Sequence, residues 1–356
     1  MPGDPLEKGE EHELEPGWTF RKSTLCSSVL ERTPGGQCLL DIACAMSARR
    51  RYTVFILLSI AGLLLLGWLN TLALPSAETV EFSSGPRVLC VTFVGRLGNQ
   101  LFQYAAVLGL SLKLNRIPVY SLDSEMAKAL QVPPPTWYHE RCNRAAEARE
   151  QACCKTETGL LQLDPKKDFA LVHDSYLQSW KYFENHEEHI RQAFKFRSDI
   201  QAVADRAVKG YRQSYNNNTL VGIHIRRGDY LLEKHTSIGY LIAPGEYFVK
   251  AMKYMRDTFG NVTFVVSTDD ENWFRQEVEN SNDVVFWERQ TPALDMALLA
   301  SLDHVIISVG TYSWWVGFLN RGVTVYYKDF ISPNTFIGDQ FNPDGSEYIY
   351  PGWIPM

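Results

Sequence analysis

The hydrophobic positions divide the chain into one long apolar run near the N-terminus and a series of short ones after it. Tyr52 to Leu74 carries no charge and is dominated by Leu, Ile, Val, Phe and Ala. About 20 apolar residues suffice to cross a bilayer as a helix, so this run predicts a transmembrane signal anchor over 52–74. Arg49, Arg50 and Arg51 precede it, and Glu78 and Glu81 follow. The positive-inside rule then puts residues 1–51 in the cytosol and the bulk of the chain on the luminal or extracellular side. A cleaved signal peptide is the competing reading, but the run is long and internal for one. A buried core helix is a weaker competitor. Residues 1–48 have no apolar period and read as disordered. Met46 lies just before the three arginines, so translation from Met46 would shorten the tail and keep the anchor.

After a Pro-, Ser- and Gly-containing stem at 75–86, the apolar runs become short and alternate in period. Val88 to Val94 is a continuous β-branched and aromatic run, as in a strand buried on both faces. Gly95 to Gly98 makes a turn. Asn99 to Asn115 has Leu101, Phe102, Tyr104, Ala105, Leu108 and Leu112 at helical spacing, and Val119 to Leu122 reads as a strand, completing a βαβ unit. Pro133-Pro134-Pro135 opens an irregular region, and Tyr182 to Phe196 reads as a helix. Asn216-Asn217-Asn218 suggests a linker or turn. Strands are predicted at 220–226, 262–267, 305–309 and, as the last, 323–327. Helices are predicted at 247–258, 269–278 and 294–302, and an aromatic-rich segment follows at 312–319. Strand–helix alternation in both halves predicts two doubly wound Rossmann-like α/β domains, 87–216 and 217–356, facing across a cleft. No solenoid repeat is present.

Composition narrows the function. The chain has 356 residues, is 45% hydrophobic and has a formal net charge of -6. Its cations are scattered, which argues against nucleic acid as a partner. Cys26, Cys38 and Cys44 fall on the cytosolic side and should be reduced. Cys90, Cys142, Cys153 and Cys154 fall on the luminal side, where four cysteines allow three pairings. Cys90, inside an apolar strand, also fits a buried thiol. No spacing reads as a zinc site. The sequons at Asn217 and Asn261 suit a luminal domain.

Several segments could carry chemistry. Gly95-Arg96-Leu97-Gly98-Asn99-Gln100 follows a strand and opens a helix, where backbone N–H groups suit a phosphate; a plain tight turn is the competing reading. His224-Ile225-Arg226-Arg227-Gly228-Asp229-Tyr230 ends a buried strand. Adjacent arginines there are costly unless they meet anions, and a guanidinium can fork two bonds to a diphosphate. The alternative is an Arg226–Asp229 ion pair that only holds the loop, and His224 fits a core histidine equally well. Ser267-Thr268-Asp269-Asp270 reads first as helix capping and second as a carboxylate for a guanine or ribose. Gly310-Thr311-Tyr312-Ser313-Trp314 offers hydroxyls at a helix start, while Trp314 and Trp315 read as core. The luminal part has no Asp-X-Asp pair, so no diphosphate-bound metal is suggested. It has no Gly-X-Ser-X-Gly or His-Glu-X-X-His run either.

These runs, with Tyr176-Leu177-Gln178-Ser179-Trp180-Lys181-Tyr182-Phe183, Phe264-Val265-Val266-Ser267-Thr268-Asp269-Asp270 and Asp295-Met296-Ala297-Leu298-Leu299, occur in the order seen in galactoside α-1,2-fucosyltransferases. From about Val88 to the C-terminus the chain resembles that family, glycosyltransferase family 11. The resemblance implies a GT-B-like fold, GDP-fucose as donor, a galactose-terminated glycan as acceptor, inversion at the anomeric carbon and no required metal or other cofactor. It also implies a single-pass type II protein of the Golgi membrane; association into a homodimer stays open. Arg226 and Arg227 would hold the GDP diphosphate. Asp269 would contact guanine, with His224 nearby, and Thr311 and Ser313 would flank the phosphates. Gly95, Arg96, Gly98 and Asn99 would face the donor from the other domain. For proton transfer, Asp229, Glu233 and His235 stand close in sequence. Glu233 lies one position off the register of the glutamate used by α-1,6 relatives; a strongly dissociative reaction would need little help from a base. Phe102-Gln103-Tyr104 and Trp314-Trp315 differ from some animal members at positions that bear on acceptor choice. Residues 123–175 show no readable motif. The alternatives are another fucose linkage such as protein O-fucosylation, a non-catalytic membrane-anchored sugar-nucleotide or glycan-binding protein, and, more remotely, a nicotinamide dehydrogenase.

Overall fold

A computed structural model describes residues 85–133, 139–278 and 281–356. The expected cytosolic tail, the anchor at 52–74 and most of the stem lie outside the described residues, as do Met46, Cys26, Cys38 and Cys44. Among the described residues no helix is long and apolar enough to cross a membrane. The described residues fall within one compact unit.

Chain order begins with β1 (Arg87–Val91), α1 (Leu97–Leu114), β2 (Arg116–Tyr120), α2 (Glu125–Ala129) and α3 (His139–Asn143). There follow β3 (Ala146–Ala148), β4 (Phe169–Leu171), α4 (Glu187–Ala193) and α5 (Ser198–Ser214). The second half contains β5 (Thr219–Ile225), α6 (Glu233–Thr236), α7 (Gly245–Phe259), β6 (Val262–Thr268), α8 (Glu271–Glu277) and β7 (Val284–Phe286). It ends with α9 (Pro292–Ala300), β8 (His304–Ile307), α10 (Gly310–Leu319), β9 (Thr324–Tyr326) and β10 (Ile354–Pro355). The first four strands form a parallel sheet ordered β2-β1-β4-β3. The other six form a second parallel sheet ordered β10-β9-β8-β5-β6-β7. Helical crossovers cover both faces of such sheets, which is why β5 and β6 are buried almost end to end.

Helix α1 joins the halves. It is buried nearly all round, including Leu101, Phe102, Tyr104 and Gln103. Phe102 lies 4.6 Å from the Trp314 ring centroid and 5.1 Å from that of Trp315, both on α10. Trp314 and Trp315 are core, as their sequence context predicted. Gly109 lets α1 approach the backbone of Tyr182 and Phe183, where a Cβ would lie 2.5 Å from the Tyr182 carbonyl oxygen. The chain's last stretch then returns to the first half. Trp180 donates its backbone N–H to the Glu347 carbonyl (3.1 Å) and its indole N–H to the Ser346 carbonyl (2.9 Å).

The elements differ from expectation at five points. Residues 182–196 are a 3-10 turn (Trp180–Phe183) followed by the short α4, because Asn185, at φ +69, interrupts the helical path. Helix α5 escaped the periodicity reading. Its inner stripe of Ile200, Ala204, Ala207, Val208 and Tyr211 recurs at helical spacing, with Ala204 fully buried and the others partly so, and the periodicity is there to read. Strands β3, β4 and β7 have three residues each, too few to show a period. The run at 323–327 is not the last strand, since β10 pairs beside it through register alone. Cys90 is not a free thiol. It bonds Cys142 and ties β1 to α3, while Cys153 bonds Cys154.

Cys90 and Cys142 are separated by 52 residues. Replacing both with alanine should therefore lower stability by about 2–4 kcal/mol by freeing the unfolded chain. Denaturant melts of the variant against the oxidised parent should show this; equal midpoints would count against it.

Candidate active site

The six-stranded sheet starts at its middle. From β5 the chain moves outward through β6 and β7, then returns to β8 on the other side of β5 and continues through β9 to β10. Neighbouring strands whose chains depart in opposite directions leave a crevice at their carboxyl ends, where ligands bind in open α/β sheets. Here the crevice lies between Arg226, after β5, and Gly310, after β8. The Arg226 N–H donates to Ser308 Oγ (2.9 Å), and the Ser308 N–H donates to the His224 carbonyl (3.1 Å), fixing the two exits together. Gly310 has φ +89, and a Cβ there would lie 2.8 Å from the Tyr230 hydroxyl. Helix α10 starts with no side-chain cap. Its first-turn N–H groups and positive dipole end are therefore available to an anion. A cleft of about 1260 Å³ opens here and extends to the wall built by the first half.

Arg226 lines this cleft. Its Nε and Nη2 donate to the two Asp229 carboxylate oxygens at 3.0 and 2.7 Å. The loop-holding ion pair weighed from the sequence therefore exists, and it orients the guanidinium along the cleft wall; among the described residues no hydrogen bond occupies Nη1. Burial pushes the Asp229 carboxyl up, but Arg226 outweighs this and holds it below the usual range. Arg227 turns elsewhere. Its guanidinium carbon sits 3.8 Å from the Trp273 ring centroid and its Nε 3.5 Å from Asp270. Asp269 accepts the backbone N–H groups of Arg227 and Gly228, both at 3.0 Å. It thus shapes the arginine loop while also facing the cleft. Asp270 caps α8 by accepting from the Trp273 N–H (3.1 Å), the capping role that the sequence suggested first.

His224 is buried beneath Arg226, and its Nδ1 lies 2.6 Å from Ser313 Oγ. Ser313 donates to the Val309 carbonyl at 3.0 Å. A hydroxyl has one proton, so this network assigns the His224 proton to Nδ1 and leaves Nε2 an acceptor. Burial, and then the Arg226 and Arg289 guanidiniums, push the imidazole down to about 3. It is neutral at physiological pH.

The opposite wall comes from Gly95 to Asn99. Gly95, at φ +73, starts the turn. Gln100 and Gln103 brace it: Gln100 donates to the Gly95 carbonyl (2.9 Å), and Gln103 accepts the Val94 N–H (2.9 Å). Gly98 abuts α10 so closely that a Cβ would lie 2.6 Å from the Tyr312 nitrogen. Asn99 Oδ1 accepts from Thr311 Oγ1 at 2.8 Å and from Gln178 Nε2 at 3.4 Å. Residues far apart in sequence thus bring both halves together at the start of α10.

Of the residues expected at the site, Gly95, Arg96, Gly98, Asn99, His224, Arg226, Asp229, Asp269 and Thr311 line the cleft, as does His235. Arg227, Glu233 and Ser313 do not. Arg227 lies against Trp273, Glu233 is exposed on α6, and Ser313 sits behind His224. The sequence reading missed Arg149, Glu150 and Arg289, which also line the cleft. Each lies in a connection without periodicity, so only the folded chain reveals its position. Among the described residues no group of three or more His, Cys, Asp or Glu side chains gathers as a metal site would.

A parallel α/β frame with a cationic crevice at its switch point suits an enzyme acting on a phosphorylated ligand. A model described as glycosyl transferase family 11 matches residues 165–356, more than half of the 356-residue chain. The chain therefore belongs to glycosyl transferase family 11 and is a glycosyltransferase. It is similar to galactoside alpha-(1,2)-fucosyltransferase 1 of Sus scrofa, 28% identical, with 73% of this chain and 72% of the relative covered. It is also similar to galactoside alpha-(1,2)-fucosyltransferase 2 of Gorilla gorilla gorilla, 24% identical, covering 80% and 85%. Among solved structures, fucosyltransferase NodZ from Bradyrhizobium gives a TM-score of 0.45 at 14% identity, covering 65% of this chain and 92% of that one.

The buried neutral histidine makes stability depend on acid. Between pH 6.5 and about 3 the unfolded chain takes up a proton that folded His224 refuses. Stability should therefore fall as pH drops below 6.5, by up to about 1.4 kcal/mol per pH unit from this group. Denaturant unfolding from pH 7 to 4.5 measures the slope. His224→Gln should flatten it, and an unchanged slope would contradict the assignment.

Proposed function

We propose that this glycosyltransferase moves L-fucose from GDP-β-L-fucose to the 2-hydroxyl of a terminal β-galactoside, with inversion, forming Fucα1-2Gal. One observation carries the reading: Arg226 and the uncapped start of α10 meet at the switch-point crevice. Relatives covering most of the chain are named galactoside α-1,2-fucosyltransferases, which supports the sugar and the linkage. The two parallel sheets around a common cleft support a GT-B-like architecture.

In this reaction the acceptor oxygen forms a bond to the anomeric carbon as the bond to the diphosphate oxygen breaks. The electron pair leaves with GDP. The transition state is oxocarbenium-like, and negative charge grows on the departing phosphate. Fixed donors aimed at that charge stabilise the transition state more than the bound donor, because they need no reorganisation as the charge develops. Arg226 and the α10 N–H groups are such donors. Arg226 is pre-oriented by Asp229, so little side-chain freedom is lost on binding. Asp269 contributes by holding the loop, and neutral His224 offers an acceptor nitrogen at the cleft floor. The cationic groups here take the charge-neutralising role, which supports a reaction independent of metal.

The reading includes a luminal catalytic part anchored in the Golgi membrane. Supporting it are the uncharged run at 52–74 behind three arginines and the positions of the two sequons. Asn217 and Asn261 are exposed and flank the amino ends of β5 and β6, away from the carboxyl-end cleft. Glycans there would leave the cleft open.

The full-length protein should be incubated with GDP-fucose and a panel of terminal galactosides, with and without chelator. Fucα1-2Gal, formed equally in both, is the expected product; another linkage overturns the acceptor reading, and loss with chelator overturns metal independence. Arg226→Ala should lower kcat/KM by about two or more orders of magnitude. Arg227→Ala should instead remove the contact with Trp273, costing about 1 kcal/mol of stability, and retain far more turnover. Equal kinetic losses would place both arginines on the donor.

A further inference from the structure

Inverting transfer is helped by a base on the face of the sugar opposite the departing diphosphate, and six carboxylates line the cleft. Five are set aside by their contacts, their exposure or their position. Asp229 is clamped by Arg226 at 2.7 and 3.0 Å. Asp269 accepts a backbone N–H on each oxygen. Asp174 pairs with Arg149 at 3.3 Å. Glu125 is exposed and gives one oxygen to cap α1 through the Leu97 N–H at 2.7 Å. Asp295 accepts from Trp287 Nε1 (2.7 Å) and the Gln290 N–H (3.0 Å), and it belongs to the half that holds Arg226.

Glu150 differs from these. It follows β3, so it belongs to the half facing Arg226 and α10. Its Oε2 accepts the Leu177 N–H at 2.9 Å, while its Oε1 has the Tyr182 hydroxyl at 3.4 Å and no cation. Leu177 is fully buried at φ +54, a conformation a leucine holds only when its surroundings over-determine it. Glu150 supplies one restraint, and the Cys153 carbonyl, accepting the Gln178 N–H at 2.6 Å, supplies the next. Gln178 reaches Asn99, and Asn99 accepts from Thr311 at the start of α10. A chain of contacts thus links Glu150 to the α10 start, where the diphosphate is read to bind.

We propose that Glu150 is the general base: its carboxylate takes the proton of the acceptor hydroxyl as that oxygen bonds to the anomeric carbon and the electron pair leaves with the nucleotide diphosphate. This rests on the transferase reading above. The titratable groups facing Glu150 are Tyr182 and Glu157, with the Arg149–Asp174 pair beside it. Burial pushes the Glu150 carboxyl up to about 8, against the hydrogen bonds from Leu177, Tyr176 and Tyr182. A base of that strength suits a reaction near neutral pH. Because the charged form is the active one, turnover should rise with pH up to about 8.

The test uses the full-length chain and follows fucose transfer from pH 5.5 to 9, with product linkage, GDP affinity and melting temperature measured in parallel. Glu150→Gln keeps an oxygen for the Leu177 N–H. It should lower kcat by about 100-fold or more and abolish the rise, with GDP affinity within about twofold of the parent. Glu150→Asp should restore part of the rise. Tyr182→Phe leaves the carboxylate in place but removes a donor to its charged form, so it should move the rise to higher pH; this variant decides the matter if Glu150→Gln does not fold. A Glu150→Gln profile like the parent's, or an unmoved rise in Tyr182→Phe, would falsify the assignment. A different product linkage with a profile that still follows Glu150 would overturn the acceptor reading and leave the base in place. No transfer by the parent to any acceptor would overturn both.

Discussion

Between β5 and β8 the chain reverses its direction of travel across the six-stranded sheet, and the cleft depends on that reversal. Parallel strands end their chains at the same edge, and only there do two neighbouring exits diverge and leave space. One exit carries Arg226 and the other opens α10 without a cap. The Ser308 hydroxyl bonds one exit to the other, so the positive groups keep a fixed separation. Such preorganisation is what makes fixed donors effective against a developing charge.

The second constraint is the contact between α1 and α10. Without a side chain at Gly98, the first turn of α1 lies directly on the first turn of α10. Phe102, Trp314 and Trp315 fill the interface below with aromatic packing. The Asn99–Thr311 hydrogen bond forms at the rim of this apolar joint. The cleft walls are therefore held by the same core that stabilises the fold, and the returning segment around Ser346 and Glu347 adds further restraint through Trp180.

The arginine motif shows how similar neighbours separate in role. At the end of a strand, successive side chains point to opposite sides. Arg226 follows the cleft side and Arg227 the other, onto Trp273. The carboxylates divide likewise: Asp229 orients a side chain, Asp269 orients a backbone and Asp270 caps a helix. Only one guanidinium of the pair lines the cleft, whereas the adjacent arginines suggested two.

The amino-acid sequence alone determined the alternation of strands and helices from Val88 onward, because long buried strands and a helix as apolar as α1 impose periods that survive any tertiary arrangement. It also marked the strand exits at Gly95, His224 and Gly310, since glycines and polar residues clustered after an apolar run have few other uses. Helix α5 was passed over although its stripe has helical spacing, and β3, β4, β7 and β10 did not show, being strands of two or three residues that exist only through their neighbours. Tertiary structure alone decided that Cys90 meets Cys142, that Arg227 turns away and that Glu150, in a stretch with no motif, reaches the cleft. The physical reason is range: periodicity reports contacts within a few residues, whereas a site joins groups whose separation in sequence carries no pattern.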